Sequence, residues 1–460
     1  MRISLGDIAK ATGGRLSQGY AFAEVKGVST DTRSLRKGEL FVAIEGKRYD
    51  GHDFIPEALS KGAGCIVSHR GKGSFRSFTT GEGRNRGIVK VGDTLIALGD
   101  LAQFYRASFD IPVVAITGST GKTTTKEMIA GVLGNGWRPL KNKGTQNNLI
   151  GVPRTLFNLN SNYDSLVLEL GASRRGEIMR LADISKPNIG ILTNIGPSHL
   201  EYIGTLEDVF RAKTELLRHL GRWDTAILNS DDRYMRRLRK GGRHTYTIGI
   251  VNEADFRAEG IVKEAVGWSF TVKGGRYRLK TLPYHSIYNA LAAICTGYLF
   301  GIAKRDIARA LEHFGGVEGR MCARRVNGIL VIDDTYNSNP LSAESALRTL
   351  ASYGGAGKRI LVCADMKELG RSCRYYHRRL GRLAASSGIE VFIAVGEAMR
   401  ESFKAAKRYG MAQAHFFREG VDVSSFLKDI SDTGDVILLK GSREMRMEEV
   451  LRCFITSFIP

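Results

Sequence analysis

Residues 111–133 read IPVVAITGSTGKTTTKEMIAGVL. A β-branched apolar run, a glycine-bearing turn and then apolar residues at helical spacing predict strand, loop and helix, the unit that opens a parallel α/β domain. In the turn, Gly118 and Gly121 let backbone N–H groups close around phosphate oxygens with no Cβ in the way. Lys122 places a point charge on the β- and γ-phosphates, and Thr123 offers a hydroxyl to Mg²⁺. The helix that follows directs its positive end at the same anion. Ile116 stands where the common G-x-x-x-x-G-K-[ST] pattern has its first glycine. That argues against an ordinary kinase or GTPase loop and for a shorter variant.

Outward from this stretch the chain divides into three zones. Residues 1 to about 107 mix short strands (40–44, 65–68) with helices. From Ile111 onward, further strands are expected at 165–171, 188–195 and 224–230, with helical patterns between. The last zone starts near Gly319, and its β–α alternation, with strands at 329–334, 359–365, 391–396 and 436–441, predicts a doubly wound parallel sheet. The expected division is 1–107, 108–316 and 317–460. The fold class is α/β in three domains: a small α/β N-terminal domain, a central phosphate-loop parallel-sheet ATPase domain and a C-terminal Rossmann-like domain. No internal repeat or low-complexity linker interrupts them.

Bulk composition sets outer limits. A chain of 460 residues with 43% hydrophobic and 25% charged residues is that of a multidomain soluble protein. No apolar run approaches the roughly 18 residues of a membrane span, and MRISLGDIAK has no apolar segment of a secretory signal. Six cysteines without paired or metal-type spacing indicate reduced thiols, hence a cytoplasmic location. The net charge of +21 favours anionic partners, nucleic acid or phosphorylated small molecules. The basic residues are spread, with short clusters such as 233–243, and no nucleic-acid-binding signature accompanies them.

One helix poses a problem. Leu206, Val209, Phe210, Lys213, Leu216, Leu217 and Leu220 recur at three- and four-residue spacing as one apolar stripe, with Thr205 and Asp208 forming a capping box. Arg211, Glu215 and Arg218 fall off the stripe, but Lys213 lies within it. Periodicity alone reads this lysine as snorkelling, its stem buried and its ammonium in water.

The motifs TGSTGKTTT (117–125), NNLIGVP (147–153), LELGAS (168–173), TNIGPSHLEYIGT…AKTELL (193–217), HSIYNALAA (285–293) and GRM…VIDDTYNSNP (319–340) resemble the Mur ligase superfamily over essentially the whole chain. GVSTDTRSLRKGELFVAIEG…DGHDFI at the start, with ADMKELG (364–370) and LLKGSREMRMEEV (438–450) near the end, resembles the D-alanyl-D-alanine-adding branch. The resemblance implies an ATP-dependent amide ligase of peptidoglycan precursor synthesis. It would join D-alanyl-D-alanine to UDP-N-acetylmuramoyl-tripeptide through an acyl phosphate, acting as a cytoplasmic monomer with no nucleic-acid partner. A single-amino-acid ligase of the same superfamily is the alternative, followed by a basic nucleic-acid-binding ATPase.

The resemblance also implies roles for individual residues. Thr117, Gly118, Ser119, Thr120, Gly121, Lys122, Thr123 and Thr124 would hold ATP, with Asn289 at adenine, Arg320 at the γ-phosphate and Asp334 at the ribose. Asp333 is not separable from Asp334 by sequence, and Tyr336 and Asn337 are further nucleotide neighbours. Two Mg²⁺ ions would be held by Thr123, Glu169, His199 and Lys213. Lys213 is the lysine that the superfamily often carbamylates, which only a neutral amine can undergo; burial favours that form. Lys122, His199, Lys213 and Arg320 would then be catalytic. Ser29, Thr30, Asp31 and Arg33 would meet the uridine nucleotide, and Asn147, Asn148 and Ser173 the muramoyl peptide. For His199, Asn289 and Arg320 taken singly, a structural histidine, a helix cap and a surface arginine are the alternatives.

Overall fold

The computed structural model describes residues 1–46, 48–69, 86–238 and 244–458. The end of the basic cluster 233–243 lies outside them.

The phosphate-loop strand Val113–Thr117 is fully buried and sits inside a seven-stranded, all-parallel sheet. It lies between Ser165–Glu169 and Ile189–Leu192. The chain leaves it for one edge (Pro139–Lys141, then Ser165–Glu169) and afterwards builds outward on the other side. The loops at the carboxyl ends of these strands therefore diverge and leave a crevice, the usual ligand position in such sheets. Near-continuous apolar runs such as VVAIT and SLVLE suit strands covered on both faces. A three-stranded antiparallel sheet, Glu259–Lys263, Trp268–Val272 and Gly275–Leu279, follows as an appendage.

The first zone carries a five-stranded sheet in which Arg15–Gln18 runs antiparallel and Gly87–Lys90, Cys65–Ser68, Leu40–Val42 and Val28–Ser29 run parallel. The last zone differs from the all-parallel expectation. Its six-stranded sheet begins with an antiparallel hairpin, Cys322–Val326 with Ile329–Asp334. Asn327 and Gly328 make the turn, both with positive φ, the Asn-Gly signature of a tight hairpin. The remaining strands, Val436–Lys440, Arg359–Ala364, Val391–Val395 and Ala414–Phe417, are parallel. The hairpin brings Asp333 and Asp334 to the end of a strand beside Val436–Lys440. Asn339 and Ser342 then form a capping box, and Pro340 opens the helix Pro340–Ala351.

The expected helix over 206–220 is two helices, Leu206–Lys213 and Glu215–His219. The Thr205–Asp208 capping box is present. The break comes at Thr214, whose hydroxyl donates back to the carbonyls of Phe210 (2.9 Å) and Arg211 (3.1 Å) in competition with the helical ladder. Val209, Leu216, Leu217 and Leu220 are buried as the stripe requires, and Lys213 is buried with them. Glu215 departs from its expected exposed place. It is buried, and its carboxylate accepts the N–H groups of Gly176 (2.8 Å) and Met179 (3.1 Å) at the start of helix Glu177–Ser185. Glu215 thus satisfies otherwise unpaired helix-start donors.

Candidate active site

The phosphate loop is fixed from below. Gly118 has φ +148, and a Cβ there would lie 2.0 Å from the Thr193 hydroxyl. Gly121 is left-handed, and a Cβ on it would lie 2.6 Å from the Asn289 Oδ1. Asn194 Oδ1 accepts from the Thr120 N–H (2.9 Å), and the Thr193 hydroxyl donates to the Thr120 carbonyl (2.6 Å). Asn289 is buried in the helix Ser286–Leu299, where it accepts from the Thr125 hydroxyl (3.1 Å), so it is not a helix-start cap.

Beside the loop, Glu169 ends its strand facing Thr123. The Thr123 hydroxyl donates to one carboxylate oxygen (2.6 Å), and the Asn147 amide donates to the other (2.8 Å). Asn142 holds the Glu169 backbone in both directions, at 2.9 Å each way. Asn148 Oδ1 accepts from the Gly151 N–H (2.9 Å) at the start of helix Gly151–Leu156. The Ser173 N–H donates to Glu177 (2.8 Å).

Two cations, Lys122 and Arg320, line the cavity beside the loop. Lys122 Nζ donates to the Gly118 carbonyl (2.9 Å), and its pKa is lowered by burial and by Arg320, against the pull of Glu169. Arg320 stacks on the Tyr336 ring at 4.0 Å, and its buried Nε has no hydrogen-bond partner among the described residues. Burial raises the Asp334 carboxyl, although Lys440 Nζ contacts it at 2.6 Å. Lys440, itself buried, also donates to the Asn337 carbonyl (3.0 Å). Asp333 instead accepts from the Thr335 hydroxyl (2.7 Å). The His285 ring contacts the Ser345 hydroxyl (2.6 Å) across two zones, and burial with Lys440 nearby pushes its pKa down to about 4.

A cavity of about 960 Å³ gathers these groups. Of the residues singled out in the sequence, Ser119 to Thr124, Asn147, Asn148, Glu169, Ser173, His199, Asn289, Arg320, Asp334, Tyr336 and Asn337 line it. Thr117 and Gly118 lie beneath it rather than on its wall. Ser29, Thr30, Asp31 and Arg33 are not on it. Their turn is satisfied internally: the Ser29 hydroxyl donates to the Asp31 carbonyl (2.9 Å), and Arg33 pairs with Asp31 (2.7 Å), holding that carboxyl at about 2. Among the described residues of the first zone, Glu45 and Leu95 reach the cavity.

Lys213 lies behind the cavity wall. It is 0% exposed, and Nζ has no hydrogen-bond partner among the described residues. This is not snorkelling. Burial, reinforced by the charge of Lys122 and opposed by Glu169, Glu177 and Glu215, lowers its pKa to about 7. Lys440, Asn142 and Glu368, whose carboxylate meets His199 at 2.6 Å, had no place in the sequence reading. The LLKGS and ADMKELG motifs held two of them but gave no role. Among the described residues no group of three or more His, Cys, Asp and Glu side chains is placed to hold a metal.

A glycine-cradled phosphate loop, an acidic residue at the neighbouring strand end and cations supplied by a separate α/β unit define a multidomain nucleotide-using enzyme. The chain belongs to the Mur ligase family. The Mur ligase middle domain matches residues 116–297, the Mur ligase glutamate ligase domain 319–443, and the Mur ligase family catalytic domain 24–106. It is 33% identical over 442 residues to the UDP-N-acetylmuramoyl-tripeptide–D-alanyl-D-alanine ligase of Bacillus subtilis, covering 95% of each chain. The Escherichia coli ligase of that name is 35% identical over 434 residues, with 92% of each covered. The fold matches MurF from Acinetobacter baumannii with a TM-score of 0.90 at 29% identity, over 99% of both chains. MurF from Thermotoga maritima in complex with ADP matches at 0.83 and 28%, over 94% of this chain and 98% of that one.

Proposed function

We propose that this protein is the ATP-dependent ligase that adds D-alanyl-D-alanine to UDP-N-acetylmuramoyl-tripeptide. The observation that carries the reading is the single cavity on which the phosphate loop, Glu169, His199, Arg320 and Asp334 converge, in a chain that matches such ligases over nearly its whole length. We take its domains as 1–107, 108–316 and 317–460. We take it to act as a monomer. No helix among the described residues is long and apolar enough to cross a membrane, in keeping with a cytoplasmic site of action.

The chemistry follows from the charges. The tripeptide carboxylate attacks the γ-phosphorus of ATP and ADP leaves. The dipeptide amine then attacks the acyl carbon, losing a proton, and inorganic phosphate leaves. Lys122 and Arg320, both on this cavity, would gain from a triphosphate held between them, and their charge would stabilise the transferring group. Asn289 lies beside the loop for adenine. Asp334, held by Lys440, would meet the ribose, with Tyr336 and Asn337 on the same cavity. Asn147, Asn148 and Ser173 border the acyl-substrate path. The Ser29–Arg33 turn, off this cavity, is assigned to the uridine nucleotide.

The residues present fit Mg²⁺. The hydroxyl of Thr123 and carboxylate of Glu169 are hard oxygen donors already in contact, and His199 lines the same cavity. Lys213, buried and unpartnered among the described residues, fits a carbamate, which turns a costly cation into an oxygen ligand. Thr123 and Glu169 would hold one ion, and His199 with carbamylated Lys213 a second; bound Mg²⁺ would offset charge between the phosphates and the acyl group.

Phosphate release should be observed with ATP, UDP-muramoyl tripeptide and D-alanyl-D-alanine together. Single amino acids in place of the dipeptide should support little. Release driven by a single amino acid would assign the chain to another ligase of the family. ATP hydrolysis stimulated by polynucleotide but not by these substrates would overturn the reading altogether.

A further inference from the structure

The ADMKELG loop after strand Arg359–Ala364 is braced on every side. The Met366 N–H donates to Nε2 of the fully buried His377 (3.1 Å), and the Lys367 N–H donates to the Ser442 hydroxyl (2.9 Å). Asp365 accepts from the Met399 N–H (2.9 Å) and from Lys367 Nζ (3.1 Å). This bracing holds Glu368 at φ +61, a left-handed conformation that a side chain adopts only at a cost. Opposite it, 169 residues earlier in the chain, His199 is likewise left-handed at φ +55. The two meet: Glu368 Oε2 lies 2.6 Å from His199 Nδ1, and the Glu201 N–H donates to the Glu368 carbonyl (3.0 Å).

We infer that Glu368 is a positioning residue for His199, so that the C-terminal unit sets the tautomer of a histidine belonging to the central one. With Nδ1–H donated to the carboxylate, the lone pair is left on Nε2, which has no hydrogen bond among the described residues. A carboxylate behind a ligand imidazole fixes its orientation and raises its basicity. His199 is therefore complete as a ligand only when the last domain is docked, which couples domain closure to assembly of the site. The inference rests on His199 being a metal ligand.

Mn²⁺ affinity of the full chain with ADP, read by the paramagnetic signal of the free ion, is the test. Glu368→Ala should weaken the histidine-dependent Mn²⁺ site by about 10- to 100-fold. Glu368→Gln, whose amide oxygen still accepts from Nδ1–H, should retain more of it. The double variant with His199→Ala should be no weaker than His199→Ala alone, a non-additivity that a merely structural role does not produce. Should the alanine variant not fold, Glu368→Asp, one methylene short, carries the same expectation. A weakened His199→Ala beside an unchanged Glu368→Ala or Glu368→Asp overturns this inference. Unchanged affinity in His199→Ala overturns instead the assignment of His199 to a metal.

Discussion

Replacing Lys213 by methionine should stabilise the apoprotein and disable it at once. The lysine is 0% exposed, its Nζ has no partner among the described residues, and its pKa falls from 10.5 to about 7. At roughly 1.4 kcal/mol per pH unit, holding the ammonium in place costs roughly 5 kcal/mol. The folded-state value lies below the unfolded one, so between the two the unfolded chain binds the extra proton and stability rises with pH. Lys213→Met keeps the apolar stem and cannot ionise. In CO₂-depleted buffer it should therefore be more stable than the parent by roughly 4 kcal/mol at pH 7, narrowing to roughly 2 kcal/mol at pH 9. Denaturant unfolding of both proteins across this range measures the gap. Ligation should fall by about 100-fold or more, and in Lys213→Ala short carboxylic acids should restore part of it by supplying the missing oxygens. A gap that does not change with pH, or parental ligase activity in either variant, would refute a buried, neutralisable lysine at the metal site.

Gly118→Ala would put a Cβ 2.0 Å from the Thr193 hydroxyl. It should cost about 1–3 kcal/mol or more in thermal unfolding and weaken ADP binding in calorimetry, and parental values in both would sink the loop geometry. Lys440→Met leaves Asp334 buried without its partner, so it should destabilise by about 3–5 kcal/mol. Adding Asp334→Leu should recover most of that stability but not nucleotide affinity; failure to recover it would show that the pair is not the source of the cost.

What could be read from the sequence was whatever depends on near neighbours in the chain. Loop 117–125 carries its own glycines, lysine and threonines. The parallel strands are apolar runs, and the Thr205–Asp208 box closes over three residues. These features follow from steric and hydrogen-bonding preferences a few residues wide. The Asn-Gly hairpin at 327–328 is an equally local signal, masked by the β–α pattern around it. Tertiary structure alone decided the rest. That Lys213 is sealed rather than snorkelling depends on the helices and strands packed over it. That Glu215 caps another helix, that Lys440 holds Asp334 and that Glu368 reaches His199 depends on partners 39, 106 and 169 residues away. Periodicity shows which way a side chain faces, but the cost of a buried charge is set by what the fold places opposite it.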